Sequence, residues 1–501
     1  MFVPTHMMIR QKFKILMILV LILIVGSLLR FYGLDIQSLW NDELSRWSRS
    51  GYENLTSVIS NLLRDDIHPP GHHILFYFVE KYIGDSESIL RLPSAVAGIL
   101  SILAIFLLGL QLYTYKEALI VSALMAVLWC PIYYSQEAAP YSMLILFSML
   151  TTYFWILILK NLNGGKKSTY AIFGYVVSAI IISYLHYVGL AFVALQYLGA
   201  VLLSLRRRKT LVYISLVYFL ILLAYLPWLP NMYKQVLNNR EAISYLRPPE
   251  NLVKAFLNYF YFLFNNSKVI GIFILILYLS FFLRGLRNTL NFATYRHIRT
   301  TLLSPGSLLV CWFIIPFAGT YVTSILLIPI LNFRYLIISM PAAYLLLARS
   351  ITQLPLRSRY KTVLATAIVG LLLFHLIFSM NYYTKPTKEQ FREAVKFIVG
   401  HDNLYKDSLI IGYAWNPNYL NYYFTKISSD RRVEEMGGEE KDILNVDKLI
   451  TKKNPKYIWY ITAHRVPEAK FLIFLNKRLT FIEHKEFISA DVWLFRNKQI
   501  E

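Results

Sequence analysis

Runs of about twenty apolar residues recur along this chain, and few folds can accommodate them. A segment of that length crosses a bilayer as a helix, and within hydrocarbon every backbone polar group has to be satisfied inside the helix itself. The runs are 14–33, 89–112, 117–133, 141–160, 169–185, 187–205, 210–229, 268–286, 305–328, 333–349 and 361–381. They predict a polytopic α-helical membrane protein with about 11 transmembrane helices. Composition agrees. Of 501 residues, 56% are hydrophobic and 16% charged, against roughly 25% charged in soluble domains.

The net charge of +22 would suit a nucleic-acid partner if the cations formed one block. They do not. They sit in short clusters between the apolar runs, as the positive-inside rule requires. Arg10, Lys12 and Lys14 precede the first run and place the N-terminus in the cytoplasm. Alternating from there, the cytoplasmic gaps hold Lys116, then Lys160, Lys166 and Lys167, then Arg206 to Lys209. Arg284, Arg287, Arg296 and Arg299 follow, then Arg357, Arg359 and Lys361. An odd number of spans leaves the C-terminal segment outside. The expected location is the plasma (inner) membrane, with no nucleic acid involved. The first run lacks a small-residue cleavage site and reads as an uncleaved anchor. The two cysteines, Cys130 and Cys311, fall near opposite faces, so no disulfide is expected.

Two domains are expected, a transmembrane module over 1–384 and an extracytoplasmic α/β domain over 385–501. The outer loop 34–88 is long, and long ordered loops are usually functional. Its pattern predicts short helices at 42–50 and 54–64. Segments 72–83 and 252–264 are apolar, short and aromatic, and read as helices at the outer surface. Beyond residue 384 charges rise and apolar runs shorten. Thr387 and Gln390 suggest a capping box ahead of Phe391, Ala394, Val395 and Ile398 at helical spacing. Strands are predicted at 408–413, 456–462, 480–487 and 490–496, with helices around 416–424, 442–452 and 467–477.

The unusual residues then fall on one face. Asp42 and Glu43 lie in the first outer loop, with Asp65, Asp66 and His68 later in it; Glu137, His186 and Arg334 sit at other outer ends. The charge argument used none of them. Ionised groups beside hydrocarbon are costly and usually functional. Plainer readings stand beside that one. Asp42 and Glu43 suit a helix N-terminus, His68 suits a turn before Pro69-Pro70, and Arg334 suits a snorkelling side chain.

Taken in order, Leu39-Trp40-Asn41-Asp42-Glu43, His68-Pro69-Pro70, Arg91-Leu92-Pro93-Ser94-Ala95, Tyr134-Ser135-Gln136-Glu137-Ala138, His186-Tyr187 and Asn332-Phe333-Arg334-Tyr335-Leu336 resemble the GT-C type membrane glycosyltransferases. Protein O-mannosyltransferases and lipid A aminoarabinose transferases are the nearest in pattern. The resemblance covers roughly 14–350. It departs at Ala139, where the family often carries Arg.

The resemblance implies a sugar donor on a polyprenyl phosphate and a lipid, glycan or protein acceptor. It implies Asp42 as base, with Glu43 orienting it or binding acceptor. Glu137 would hold acceptor or a cation. Arg334, and less directly Arg91, would grip the phosphate, a task suited to a planar guanidinium. His68, Tyr134 and Gln136 would line the substrate site. No cofactor is required, although a divalent cation at His186 is one reading. The alternative function is a transporter or flippase of lipid-linked sugars. Transporters tend to show repeats and midplane charges, and neither is visible here.

Overall fold

The structure is a computed structural model that describes residues 5–163, 168–205, 207–238, 248–249, 251–290, 304–405, 408–427 and 430–500. Lys166, Lys167, Arg206, Arg296 and Arg299 of the charge argument lie outside the described residues. Among the described residues, 8 helices are long and apolar enough to cross a membrane. They are Arg10–Phe31, Glu87–Leu112, Tyr141–Leu162, Tyr187–Ser204, Arg208–Gln235, Pro305–Leu326, Phe333–Thr352 and Ser358–Ser379. The number reaches 10 if two bent pairs each count as one span. The Thr169–Leu185 helix, of 17 residues, is apolar but shorter. This is an integral membrane protein with eight to ten spans among the described residues, where the apolar runs suggested eleven.

Two of the eleven runs, 117–133 and 268–286, belong to helix pairs broken by bends that run length does not register, and a third, 169–185, forms a helix just short of the others. Run 117–133 is two helices, Tyr115–Val127 and Trp129–Ser135, bent by 57°. Pro131 explains the bend, because it has no N–H to offer the Val127 carbonyl and its ring crowds that group. The freed backbone finds side chains instead. Arg30, fully buried, donates to the Met125 and Ala126 carbonyls at 2.7 and 3.1 Å. Asn265 Oδ1 accepts from the Trp129 N–H at 2.8 Å. Asn265 belongs to the second bend, 101° between Leu252–Leu263 and Lys268–Leu283. Asn265 and Asn266 take φ of 55° and 50° there, a left-handed conformation asparagine adopts more readily than most residues. Segment 252–264 is a helix as expected, with Tyr259, Phe260 and Leu263 fully buried in the core.

The chain divides into two compact units. The first comprises Met1–Tyr32, Tyr52–Phe78 and Arg91–Asn381 and holds one large apolar core. The second comprises Tyr382–Glu501 together with two stretches of the long loop, Gly33–Gly51 and Val79–Leu90. Its sheet has five strands in the order β2-β1-β3-β5-β4, where β1 is Leu409–Tyr413, β2 Glu435–Met436, β3 Tyr457–Ala463, β4 Leu479–Phe487 and β5 Ala490–Asn497. β1 pairs in parallel with β2 and β3, while β5 runs antiparallel to β3 and β4. All five β1 residues are buried, as expected of a parallel strand covered on both faces. Helices Pro417–Lys426, Ile443–Lys453 and Ala469–Arg478 sit where the pattern put them, and only β2 was unforeseen.

The capping box at Thr387 does not form. The helix begins at Phe391 with Gln390 as its cap residue. The Thr387 hydroxyl and N–H both reach Gln37 Oε1, and Gln390 Oε1 accepts from the Ile488 N–H. Longer-range partners outcompete the local motif. Several more bonds tie the loop stretches into this unit. Arg392 donates to the Asp35 carbonyl and to Glu87, and the Tyr423 hydroxyl accepts from the Leu39 N–H at 2.6 Å.

Candidate active site

In the second unit the acidic motif opens the helix Asn41–Ser50. Its two acids have separate surroundings. Glu43 is fully buried, accepts from the Trp40 N–H at 3.3 Å, and faces Lys388 Nζ at 3.4 Å. A carboxylate so enclosed caps its helix and neutralises a buried cation. Asp42 is half-buried, and its carbonyl accepts from Arg46. Glu389 lies beside this turn. Its Oε2 accepts from the Asn41 N–H at 2.6 Å, its Oε1 meets His464 Nδ1, and its own carbonyl accepts from Ser38 Oγ.

The first unit gathers a second cluster. Asp66 is buried, with His68 Nδ1 at 2.7 Å on one oxygen and His73 Nε2 at 3.3 Å on the other. Burial alone would push the Asp66 carboxyl up, but the two histidines outweigh it and hold it well below the usual carboxylate range. The His68 ring lies 5.3 Å from that of His186, which lies 5.1 Å from Tyr335 and 6.4 Å from Tyr141. The Arg334 guanidinium stands over Tyr141 at 5.9 Å. Gln235 ties the turn in place, donating to the Leu62 and His68 carbonyls and accepting from the Tyr187 hydroxyl. The geometry therefore brings His68, His186 and Arg334 of the sequence motifs together, and adds Asp66 and His73.

The Tyr134–Glu137 turn is more deeply set. Gln136 Nε2 donates to the Leu29, Arg30 and Tyr32 carbonyls, closing the end of the first span. Tyr134 packs on Tyr133, Tyr141 and Phe262. Glu137 and Arg91 are each 1% exposed. Ala139, the departure from the family pattern, is fully buried in the core.

At His186, Nδ1 accepts from the Val188 N–H at 3.1 Å, which leaves Nε2 as the ring nitrogen turned to the rest of the cluster. Among the described residues the one group spaced to hold a metal is elsewhere, His484, Glu486 and Asp491 on β4 and β5.

Sequence reasoning missed Lys388, Glu389, His464 and His73. Lys388 and Glu389 lie 345 and 348 residues from their partners in the acidic motif, His464 lies farther still, and no periodicity links positions so far apart. His73 was visible only as part of an apolar helix.

A family model described as dolichyl-phosphate-mannose-protein mannosyltransferase matches residues 67–231. No curated protein matches the chain. Among solved structures, ArnT from Cupriavidus metallidurans in the apo state matches over 95% of this chain and 97% of its own, with a TM-score of 0.56 and 14% identity. The chain has the GT-C glycosyltransferase fold. ArnT bound to undecaprenyl phosphate matches over the same shares, with a TM-score of 0.55 and 15% identity. The Archaeoglobus fulgidus oligosaccharyltransferase in complex with zinc and sulfate matches over 88% of this chain and 67% of its own, at 0.50 and 14%. Within this GT-C fold, the family model reaches His68, Arg91, Tyr134, Gln136, Glu137 and His186; Asp42, Glu43 and Arg334 lie outside it.

Proposed function

We propose that this protein is a glycosyltransferase that moves a sugar from a polyprenyl-phosphate donor to an acceptor hydroxyl or phosphate at the extracytoplasmic face of the plasma membrane. The observation that carries the reading is the match to ArnT over nearly the whole chain, joined to the mannosyltransferase family model. ArnT has been solved with undecaprenyl phosphate, which supports a lipid phosphate as the donor's carrier. Acceptors of the lipid A, glycan and protein classes all present a hydroxyl or a phosphate whose oxygen can attack C1.

In the reaction, the acceptor oxygen bonds to C1 of the sugar as the C1–O bond to phosphate breaks. The phosphate leaves with the electron pair, and the acceptor proton passes to Asp42. Asp42 suits the base because it is the more open acid of the pair, while Glu43 is held by Lys388. Glu43 thus supports the turn that carries the base. Arg334, presented beside Tyr141, suits the phosphate, whose charge grows as the bond breaks. The positive-inside pattern supports a cytoplasmic N-terminus.

The test is turnover of the purified full-length protein in nanodiscs with polyprenyl-phosphate sugars. The wild type should release lipid phosphate and transfer sugar. Asp42→Asn should keep donor binding and lose about 10²–10⁴ in rate, the usual worth of a positioned base. Undiminished turnover in Asp42→Asn would remove it as the base. Wild-type protein that moves lipid-linked sugar across liposomes without transferring it would instead make this a transporter.

A further inference from the structure

The three parallel strands of the C-terminal sheet end at one edge, and each sends a loop there. β1 ends in Tyr413 and leads to Trp415, β2 leads to Gly438 and Glu439, and β3 leads to His464 and Arg465. The helices that follow β1 and β3 cover opposite faces. Phe471 and Leu475, from the helix after β3, share a core with Leu409, Ile411 and Tyr413. The helix after β1 packs instead on Phe391–Gly400, whose Phe397 meets Trp459 of the other face. Such a reversal opens a crevice at the strand ends, where open α/β sheets bind ligands.

All three loops contribute to one cluster at this edge. The Arg465 guanidinium stands over two rings, 4.3 Å from Tyr413 and 4.6 Å from Trp415. Glu439 Oε1 fixes it, accepting from Arg465 at 2.8 Å and from the Tyr413 hydroxyl at 3.2 Å. Gly438 lets the β2 loop lie on the tyrosine, because a Cβ there would stand 2.3 Å from the Tyr413 ring. Trp415 is the member that packing does not explain. It is 63% exposed, and its indole N–H bonds to no described residue. The guanidinium holds one face of the indole and the other is open. The charges nearby offset one another. Glu439 also pairs with Lys441 at 2.7 Å, and Glu440 with Lys470 at 2.6 Å. A phosphorylated ligand would meet cations that already have partners.

A sugar ring has an apolar C–H face and a rim of hydroxyls. The face suits an open indole, and the rim suits the donors and acceptors of a guanidinium and a carboxylate. We propose that Trp415, Arg465 and Glu439 form a subsite for a neutral saccharide, and that its occupant is the acceptor glycan. The proposal rests on the reading of this protein as a glycosyltransferase. The place of the cluster supports an acceptor. His464, beside Arg465, meets one oxygen of Glu389, whose other oxygen accepts from the N–H of Asn41, the residue before Asp42. The loop that presents Arg465 is thus tied to the turn that carries the proposed base.

The experiment places the full-length protein in nanodiscs on an array of neutral and acidic glycans. The wild type should retain neutral glycans. Trp415→Ala should weaken that binding about tenfold, the order expected for a lost aromatic contact, with an unchanged unfolding midpoint, and Trp415→Phe should recover part of the loss. With polyprenyl-phosphate mannose as donor and the best-retained glycan as acceptor, Trp415→Ala should raise the acceptor KM about tenfold and leave the donor KM as it was. Retention of no neutral glycan, or equal retention by wild type and Trp415→Ala, would overturn the proposal. So would quenching of Trp415 fluorescence by brominated lipid, which would assign the ring to the membrane surface. Trp415-dependent glycan binding by a wild type that transfers no sugar would remove the transferase reading, and the acceptor role with it, while the saccharide subsite stood.

Discussion

Asp42 and Glu43 are neighbours in sequence with different surroundings, and the difference can be tested. Glu43 and Lys388 form a buried ion pair, 0% and 3% exposed at the side chains. Removing one partner of such a pair strands the other charge and destabilises by about 3–5 kcal/mol. Lys388→Ala should therefore lower the unfolding midpoint sharply, and adding Glu43→Gln should recover part of the loss, as a double-mutant cycle would measure. A second ionic contact in the same unit makes stability pH-dependent. The His464 value is raised by Glu389, so its contribution is complete below about 6.5 and is lost as pH rises through the folded value. Glu389→Gln should thus depress the unfolding midpoint more in mild acid than in mild alkali, and an equal depression at both would argue against this pairing. Residue types singled out Asp42 and Glu43, and the family resemblance implied Asp42 as base with Glu43 orienting it or binding acceptor. The partners that give the two acids different surroundings, Lys388 and Glu389, were not legible, because only folding brings them in.

Among the elements, lengths were legible and breaks were not. The apolar runs located most helices because burial in hydrocarbon demands long uninterrupted apolar stretches. Run 117–133 contained its own break in Pro131, and a bent helix leaves backbone groups that something must satisfy. Here the something is Arg30 and Asn265, from distant parts of the chain, which sequence periodicity does not reveal. The same region holds a tight crossing. A Cβ on Gly98 would stand 1.9 Å from Ser135 Oγ, 2.8 Å from Ser135 Cβ and 2.9 Å from Arg30 Nε. Gly98→Ala therefore has to displace the Ser135 turn or the Arg30 side chain that closes the break. Overpacking of this kind costs about 1–3 kcal/mol. The variant should show a lowered unfolding midpoint in detergent, while alanine at Gly319, where a Cβ meets nothing within 4 Å, should leave it unchanged. Equal midpoints for the two variants would mean that the crossing is looser than described.

For the whole molecule, sequence reading located the C-terminal α/β strands and helices nearly to the residue, because soluble elements alternate and punctuate clearly. It did not reveal that this segment gathers Gly33–Gly51 and Val79–Leu90 into its own compact unit. That association rests on single long-range contacts: Tyr423 on the Leu39 N–H, Arg392 on Glu87 and the Asp35 carbonyl, Lys388 on Glu43, and Trp47 against Tyr422 at 4.7 Å. None leaves a periodic trace. The consequence is specific. An appended domain that only recognises acceptor could be deleted with a change in acceptor range alone. Here, deleting 385–501 strips Leu39, Glu43 and Leu44, each fully buried, of their cover. The Asp42 turn should then lose its fixed conformation. The truncated protein should be cleaved readily by protease within 33–51 and should transfer no sugar to any acceptor, even if its membrane spans remain folded by circular dichroism. A truncation that still turns over donor lipid, with only its choice of acceptor altered, would show that the acidic turn holds its shape without this unit.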